Sequence, residues 1–364
     1  MPTKACDVTT LKDIAAKLGV GVSTVSYVMR GKGEEHHISK TLVERIRATA
    51  ELMHYRPNVA AQNMRLGRFG NVALVLGARW GIGHLPADLL TAIGDQVEAH
   101  DLRLLINRFE DQQLTDQDFV PRILRELSSD GLLIAYNEQV PTQMIALIKR
   151  FQLPAIWIDA GLPQDCVNVD DLGAGRLAAE HLLTLGHRRI AYSHFDWPVA
   201  VTRGGHHSVA DRRRGCEDTV RAAGLEPLEG ALRTDAADRT ALIAAARRCL
   251  AGPDRPTAVV CYGGEDGEAF FAAAHLLGLR VPQDLSLVVV SDRQRPILDR
   301  LWTTVCIPLR ELGTQAVTML SERIAAPQHP LAARSFPHHV MPGTTTAPPT
   351  SNPLPSPPSS TTRR

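Results

Sequence analysis

Aromatic residues are scarce in this chain. Phe, Trp and Tyr make up 5% of its 364 residues, while apolar residues together reach 44%. Leu, Val and Ala therefore carry the burial, which suits helices packed on parallel strands better than a β-sandwich. An overall excess of charge is lacking too, with 40 Lys+Arg against 39 Asp+Glu. The six cysteines (Cys6, Cys166, Cys216, Cys249, Cys261, Cys306) are scattered, with no C-x-x-C pair and no metal-ligand spacing. They read as reduced, packed thiols of a cytosolic protein. No stretch reaches the roughly 18 consecutive apolar residues that a membrane span needs. The opening MPTKACDVTTLKDIAAK has no apolar core of a signal peptide. The expected location is the cytoplasm, with no membrane partner.

Catalytic signatures are missing as well. The chain has no G-x-x-x-x-G-K-[ST], no H-E-x-x-H and no nucleophile elbow, so no catalytic residue and no cofactor is expected. Three histidine pairs, His36-His37, His206-His207 and His338-His339, read as loop pairs without cysteine or carboxylate partners at ligand spacing. No metal site is expected from them.

What charge there is, is unevenly placed. Residues 1–68 carry 11 Lys+Arg against 6 Asp+Glu, and the remainder carries 29 against 33. A basic head on a slightly acidic body is the pattern expected when only the head meets phosphate. The texture of the sequence changes along the same division. Short helical patterns with polar breaks fill 1–57. Apolar strand-like runs alternate with helical stretches over 70–347. The Pro/Ser/Thr-rich 348–364, PPTSNPLPSPPSSTTRR, cannot bury enough surface to fold and is expected to be disordered. In the middle region NVALVLG, LRLLIN, DGLLIAY, PAIWID, VNVD, RRIAYS, TAVVCY and LSLVVVSD are the plainest strands. Continuously apolar strands alternating with helices predict parallel sheets covered on both faces. Roughly eleven such runs are too many for one open sheet, so two doubly wound lobes with a cleft between them are expected.

The run from Thr10 to Arg30, TLKDIAAKLGVGVSTVSYVMR, carries the sharpest local signal. Thr10 is placed to cap a first helix, with Asp13 at the capping-box position. Ile14, Ala15 and Leu18 recur at helical spacing, and Gly19 stands where a tight turn needs positive φ. A second helix over about 22–29 turns Val25 and Val28 inward. Its other face, Ser23, Thr24, Ser26 and Tyr27, is polar and uncharged, suited to reading base edges. A third helix follows, capped by Ser39 and stapled by Ile38 and Val43. Lys32, Lys40, Arg45, Arg47 and Arg56 are available for phosphates. This is a helix-turn-helix.

The motif T-LKDIAAKLGV-x-VSTVSYVM-R-GK, followed by ISKTLVERIRATAELMHYRPN-x-AAQNMR, resembles the lactose/galactose-repressor (LacI/GalR) family. More loosely, NVDDLGAGRLAAEHLLTLGHRRIAY, DRRRGCEDTVRAAGL, PTAVVCY, LGLRVPQDLSLVVVSD and WTTVCIPLRELGTQAV are similar to that family's effector domain. The resemblance implies an α/β chain: a small all-α helix-turn-helix head (1–57), a hinge helix and linker (58–69), and a two-lobed periplasmic-binding-protein-like body (70–347). The body, with its parallel sheets, would bind effector and dimerise. It implies a transcriptional repressor, not an enzyme, that binds a double-stranded operator as a homodimer under control of a small-molecule effector, a sugar or related metabolite. A solute-binding protein of a transporter is the alternative. The DNA-facing residues would be Thr10, Val22, Ser23, Thr24, Ser26, Tyr27 and Lys32, with Asn58, Ala61, Met64, Arg65 and Arg68 in the hinge. Met64 stands where the family has a minor-groove leucine wedge, and Gly21 replaces its usual capping serine. In the body, Arg212 matches the family's ligand-gripping arginine, and Asp292 its acidic residue after a strand. Arg79, Trp80, Tyr136, Asn137 and Asp159 would join them at the cleft. Gly263-Gly264 replaces the family's Asn-Asp pair, in a turn that reads first as a plain βα connection and only second as an opening for phosphate, and 195–210 looks longer than the usual loop.

Overall fold

The computed structural model describes residues 9–57, 67–77, 85–109, 128–135, 142–194, 206–230 and 239–350. The chain divides into two compact units, Met1–Gly70 and Asn71–Arg364.

In the first unit, α1 (Leu11–Leu18), α2 (Val22–Met29) and α3 (Lys40–Leu52) enclose a small core. Thr10 caps α1 reciprocally. Its hydroxyl accepts from the Asp13 amide, and the Asp13 carboxylate accepts from the Thr10 amide at 2.8 Å. The helix stops at Gly19, whose φ of 65° costs an L-residue energy but costs glycine little. Gly21 leads into α2 with no side-chain cap, while the Ser39 hydroxyl accepts from the Leu42 amide at the start of α3. Ile14, Ala15, Val25, Val28, Ile46 and Ala50 form the buried center, with the staple pair Ile38 and Val43 packed against it.

The second unit holds two sheets. The first lobe has strand order β13-β5-β4-β3-β1-β2, all neighbors parallel, built from β1 (Asn71–Gly77), β2 (Arg103–Phe109), β3 (Gly131–Ala135), β4 (Ala155–Ile158), β5 (Cys166–Val169) and β13 (Arg334–Phe336). Alternation splits each strand between two cores. Val72 and Leu74 face α4 (Ala87–Ala99), whereas Ala73 and Val75 share a core with Met144 and Ile148 of α5 (Thr142–Phe151). The second lobe has order β14-β12-β9-β8-β6-β7. Its strands are β6 (Ile190–Ser193), β7 (Leu228–Glu229), β8 (Ala258–Cys261), β9 (Ser286–Ser291), β12 (Thr303–Cys306) and β14 (His339–Met341). One face is covered by α6 (Asp171–Thr184) and α7 (Ser208–Ala222), the other by α8 (Arg239–Leu250) and α9 (Gly264–Leu276). A small hairpin, β10 (Pro296–Ile297) with β11 (Arg300–Leu301), stands apart.

The chain passes between the lobes after β5, after β12 and again between β13 and β14. The second passage is α10 (Leu309–Ala325), which packs on the first lobe through Leu312, Ala316 and Leu320. Helices α6 and α7 meet backbone to backbone. A Cβ on Gly175 would lie 1.9 Å from the Arg212 carbonyl oxygen, and one on Gly215 would lie 2.0 Å from that of Leu172.

Several expectations shift. β13 and β14 are not among the plain strand signals, because they are three residues each and alternate in exposure. The run LRLLIN is not covered on both faces: β2 is an edge strand, and Leu105 and Ile106 are exposed. Residues 348–350, expected to be disordered, are placed against the body. Thr350 donates its hydroxyl to the Gln283 carbonyl at 3.1 Å, so the body seats the chain to that point, and 351–364 lie outside the described residues. Among the described residues no helix is long and apolar enough to cross a membrane.

Candidate functional site

On the head, α2 turns Val25 and Val28 into the core, which leaves Val22 and Ser23 exposed and Thr24, Ser26 and Tyr27 half-buried on the outer side. The Tyr27 ring is held rather than free. It stacks on His36 with centroids 3.4 Å apart, and the Arg30 guanidinium lies 5.2 Å from its centroid. Lys32 pairs with Glu35 at 3.4 Å, but both side chains are exposed. Such a pair contributes about 1 kcal/mol at most, so a phosphate can displace the carboxylate. Lys40, Arg45, Arg47, Arg56 and Arg68 are exposed as well. Thr10 is committed to its cap. Asn58, Ala61, Met64 and Arg65 lie outside the described residues.

In the body, polar side chains gather at the carboxyl ends of β4, β5 and β8, where ligands of doubly wound sheets bind. Asp159 follows β4 with φ of 56°; its amide donates to the Val167 carbonyl, and its Oδ1 accepts from the Val169 amide. Asp171 opens α6, and its Oδ1 accepts from Arg212 Nε at 2.7 Å. Arg212 Nη1 donates to the Tyr262 carbonyl at 3.3 Å, and its guanidinium lies 4.8 Å from the Tyr262 ring centroid. Burial, the largest single influence, would lower the Arg212 pKa, but the Asp171 charge and hydrogen bond, together with Tyr262 and Tyr192, outweigh it and keep the guanidinium protonated. Arg212 is therefore neither a surface cation nor a free ligand group; it ties α7 to α6 and to the end of β8.

The histidine pair does have carboxylate partners, contrary to the expectation from spacing. His206 Nε2 lies 2.8 Å from the Asp159 carbonyl and 3.5 Å from its Oδ2, and His207 Nε2 lies 3.8 Å from Asp159 Oδ1 and 3.5 Å from Asp171 Oδ2. Residues 159 and 171 fold against 206 and 207, a meeting that spacing along the chain does not encode. Ser208 joins the group, with its hydroxyl 2.8 Å from the Tyr262 hydroxyl. The turn at Gly263-Gly264 is closed to phosphate, because the Asp266 carboxylate accepts from the Gly263 amide and fills the N-terminus of α9 with negative charge. Asp292 follows β9 and receives Ser291 Oγ and Arg295 Nη2, each at 2.9 Å. Burial pushes its pKa up, but these donors outweigh it and hold the carboxyl below its ordinary range. Arg79, Trp80, Tyr136 and Asn137, and 195–205 of the long loop, lie outside the described residues. His206, His207, Asp171, Ser208 and Tyr262 were missed by sequence reasoning. The one available signal was the pair of histidines opening a helix.

Fold and site together define a DNA-binding regulator with a helix-turn-helix head and a two-lobed α/β body. Residues 10–58 match the model for bacterial regulatory proteins of the lacI family, and 179–346 match the periplasmic binding protein-like domain. The chain is 25% identical over 322 residues to the HTH-type transcriptional repressor PurR of Edwardsiella ictaluri, covering 87% of this chain and 91% of that one. It is 27% identical over 319 residues to the HTH-type transcriptional regulator DegA of Bacillus subtilis, covering 84% and 89%. In fold it is similar to the lac repressor dimer bound to operator and the anti-inducer ONPF, with a TM-score of 0.74 at 22% identity over 94% of this chain and 100% of that one. The chain thus joins a helix-turn-helix domain of the lacI-family type to a periplasmic binding protein-like domain. Its relatives are transcriptional regulators, not enzymes.

Proposed function

We propose that this chain is a repressor that binds a pseudo-palindromic operator as a homodimer, and that a small molecule held between the lobes of the body sets its affinity. The observation that carries the reading is the outer side of α2, an exposed or half-exposed polar face with the exposed Arg45, Arg47 and Arg56 elsewhere on the same unit. A single helix of this kind covers one half-site, so two-fold protein symmetry is mirrored in the DNA. The similar lac repressor was solved as a dimer on operator with a small molecule bound, which supports the same arrangement here.

In this reading Val22, Ser23, Thr24, Ser26 and Tyr27 read bases, while Lys32 and Arg68 meet phosphates. Asn58, Ala61, Met64 and Arg65 form the hinge between the head (1–57) and the body (70–347). A sugar or related metabolite is the effector, with Asp159, Arg212 and Asp292 at its site. Arg212 acts by holding the site's wall and Asp171 in place. A solute-binding protein would have no use for the helix-turn-helix. The test is protection mapping of DNA flanking the protein's own gene, with the full chain, followed by a sugar panel. Protection of a two-fold repeat is expected; uniform, sequence-independent binding would overturn the reading.

A further inference from the structure

The group of Asp159, His206, His207 and Asp171 has the composition and spacing of a metal-binding site. One ligand atom from each of Asp159, His206 and His207 lies within 4.8 Å of the others. The separations to the carboxylates, 3.5, 3.8 and 3.5 Å, are close to the edge of a coordination tetrahedron. Four N and O donors around zinc stand about 3.4 Å apart when each bond has its usual length. A second observation is independent of that spacing. The Asp171 side chain is 1% exposed, and its Oδ2 is buried with no hydrogen-bond partner, although it lies beside His207. A buried carboxylate oxygen left unmatched is costly and calls for a cationic or donor group.

We propose that Asp159, His206 and His207, completed by Asp171, form a site for one divalent transition-metal cation of the zinc, cobalt or nickel type, bridging the two lobes. Two imidazoles with two carboxylates favor cations of borderline softness over magnesium or calcium, which prefer oxygen alone. The charges agree, because Arg212 neutralizes one of the two carboxylates and leaves one negative charge for the cation. The surrounding bonds orient the donors. His206 Nδ1 accepts from the Ser208 amide at 3.3 Å and lies 2.7 Å from Ser208 Oγ, while Nε2 faces the Asp159 carbonyl; binding a cation at Nε2 moves the ring proton to Nδ1, where Ser208 Oγ accepts it and the amide contact is given up. Asp159 Oδ1 is steadied by the Val169 amide.

The placement makes the site a clamp. Asp159 stands at the end of a first-lobe strand, whereas His206, His207 and Asp171 stand at the starts of α7 and α6, which pack on the second-lobe sheet. A cation bound to all four holds the lobes at one separation. That this tunes operator affinity rests on the function proposed above; the site itself does not.

The experiment is titration of the metal-stripped full chain with Co2+, followed by visible absorption and equilibrium dialysis, then competition with Zn2+. The variants are Asp159→Asn, which tolerates the left-handed backbone at 159, and His207→Gln, with Cys249→Ser as control. Burial pushes the Cys249 thiol up to about 11 and that of Cys216 up to about 12, which disfavors thiolate ligands. One Co2+ per chain is expected, with N/O-type d–d bands and no thiolate charge-transfer band. Affinity should fall on the order of 10- to 100-fold in each site variant, at least the cost of losing an outer-shell partner, and stay unchanged in Cys249→Ser. Equal affinity in all variants, or a thiolate band lost in Cys249→Ser, would overturn the site. Operator protection by the metal-free chain is measured in parallel. Its absence would sink the repressor reading and leave the cation result standing.

Discussion

The head and the body place functional groups by different means. The residues proposed to read bases in the head sit on one helix, within a single eight-residue element, α2. The body's polar group draws on residues 159, 171, 206 to 208, 212 and 262, from the ends of two strands and the starts of two helices. A local element needs only its own periodicity and caps to present a face. A distributed site needs the whole body, down to the backbone approach at Gly175 and Gly215 that brings Arg212 to Asp171. The head should therefore tolerate changes in its functional residues with little loss of stability, whereas the body should not.

The strongest test of that contrast is Arg212→Ala. It strands the buried Asp171 carboxylate, and breaking such a pair costs about 3–5 kcal/mol. All four tryptophans, Trp80, Trp157, Trp197 and Trp302, belong to the body, so denaturant unfolding followed by tryptophan fluorescence reports it alone. A loss below about 1 kcal/mol would mean that the guanidinium is free to serve a ligand instead of the fold.

Acid should separate the regions next. Burial pushes His338 down to about 4 and also holds His187 below its ordinary 6.5. Both are body residues kept neutral when folded. As pH falls below 6.5 the unfolded chain binds protons that the folded one refuses, so body stability falls, and the His338 contribution levels off near pH 4. For His338 the drop amounts to about 3 kcal/mol at 1.36 kcal/mol per pKa unit. His338→Phe should flatten the stability–pH curve of the tryptophan signal in that window; an unaltered slope would remove His338 from the account.

On the DNA side the effects are smaller and confined to binding. Met64→Ala is expected to lose specific operator affinity by about 1–3 kcal/mol, with nonspecific binding kept, if Met64 wedges into the minor groove. Arg68→Ala should weaken binding to all sequences alike and reduce the salt slope by about 1. Binding of both variants to operator and to random DNA, across a salt series, separates the two roles. Equal loss on both DNAs for Met64→Ala would make the hinge a plain linker.

Thr10→Ala gives the smallest change. Loss of the reciprocal cap on α1 should cost about 1 kcal/mol, seen in the helical circular dichroism of the head and absent from the tryptophan transition. A shift in the tryptophan signal would show that head and body unfold together, and the contrast would fail.

The sequence by itself determined the elements whose causes are local. Thr10 and Asp13 foretold the cap, Gly19 the turn, Val25 and Val28 the inward face of α2, and NVALVLG a buried strand, because each depends on neighbors within a few positions. The alternation of apolar runs likewise predicted two parallel sheets, which hold except at the edge of the second, where β14 runs antiparallel to β12. Only the tertiary structure decided the rest. It placed β13 and β14 in different lobes, because three-residue strands take their identity from the partners they pair with. It turned Arg212 from the expected ligand-gripping arginine into a buried tie to Asp171 and the Tyr262 carbonyl, and it filled the Gly263 turn with the Asp266 carboxylate. It gave His206 and His207 the carboxylates that their own surroundings in the chain lack. Spacing along the chain fixes which side of a helix or strand a residue occupies; which distant side chain it then meets depends on how the elements pack, and the body's chemistry lies in those meetings.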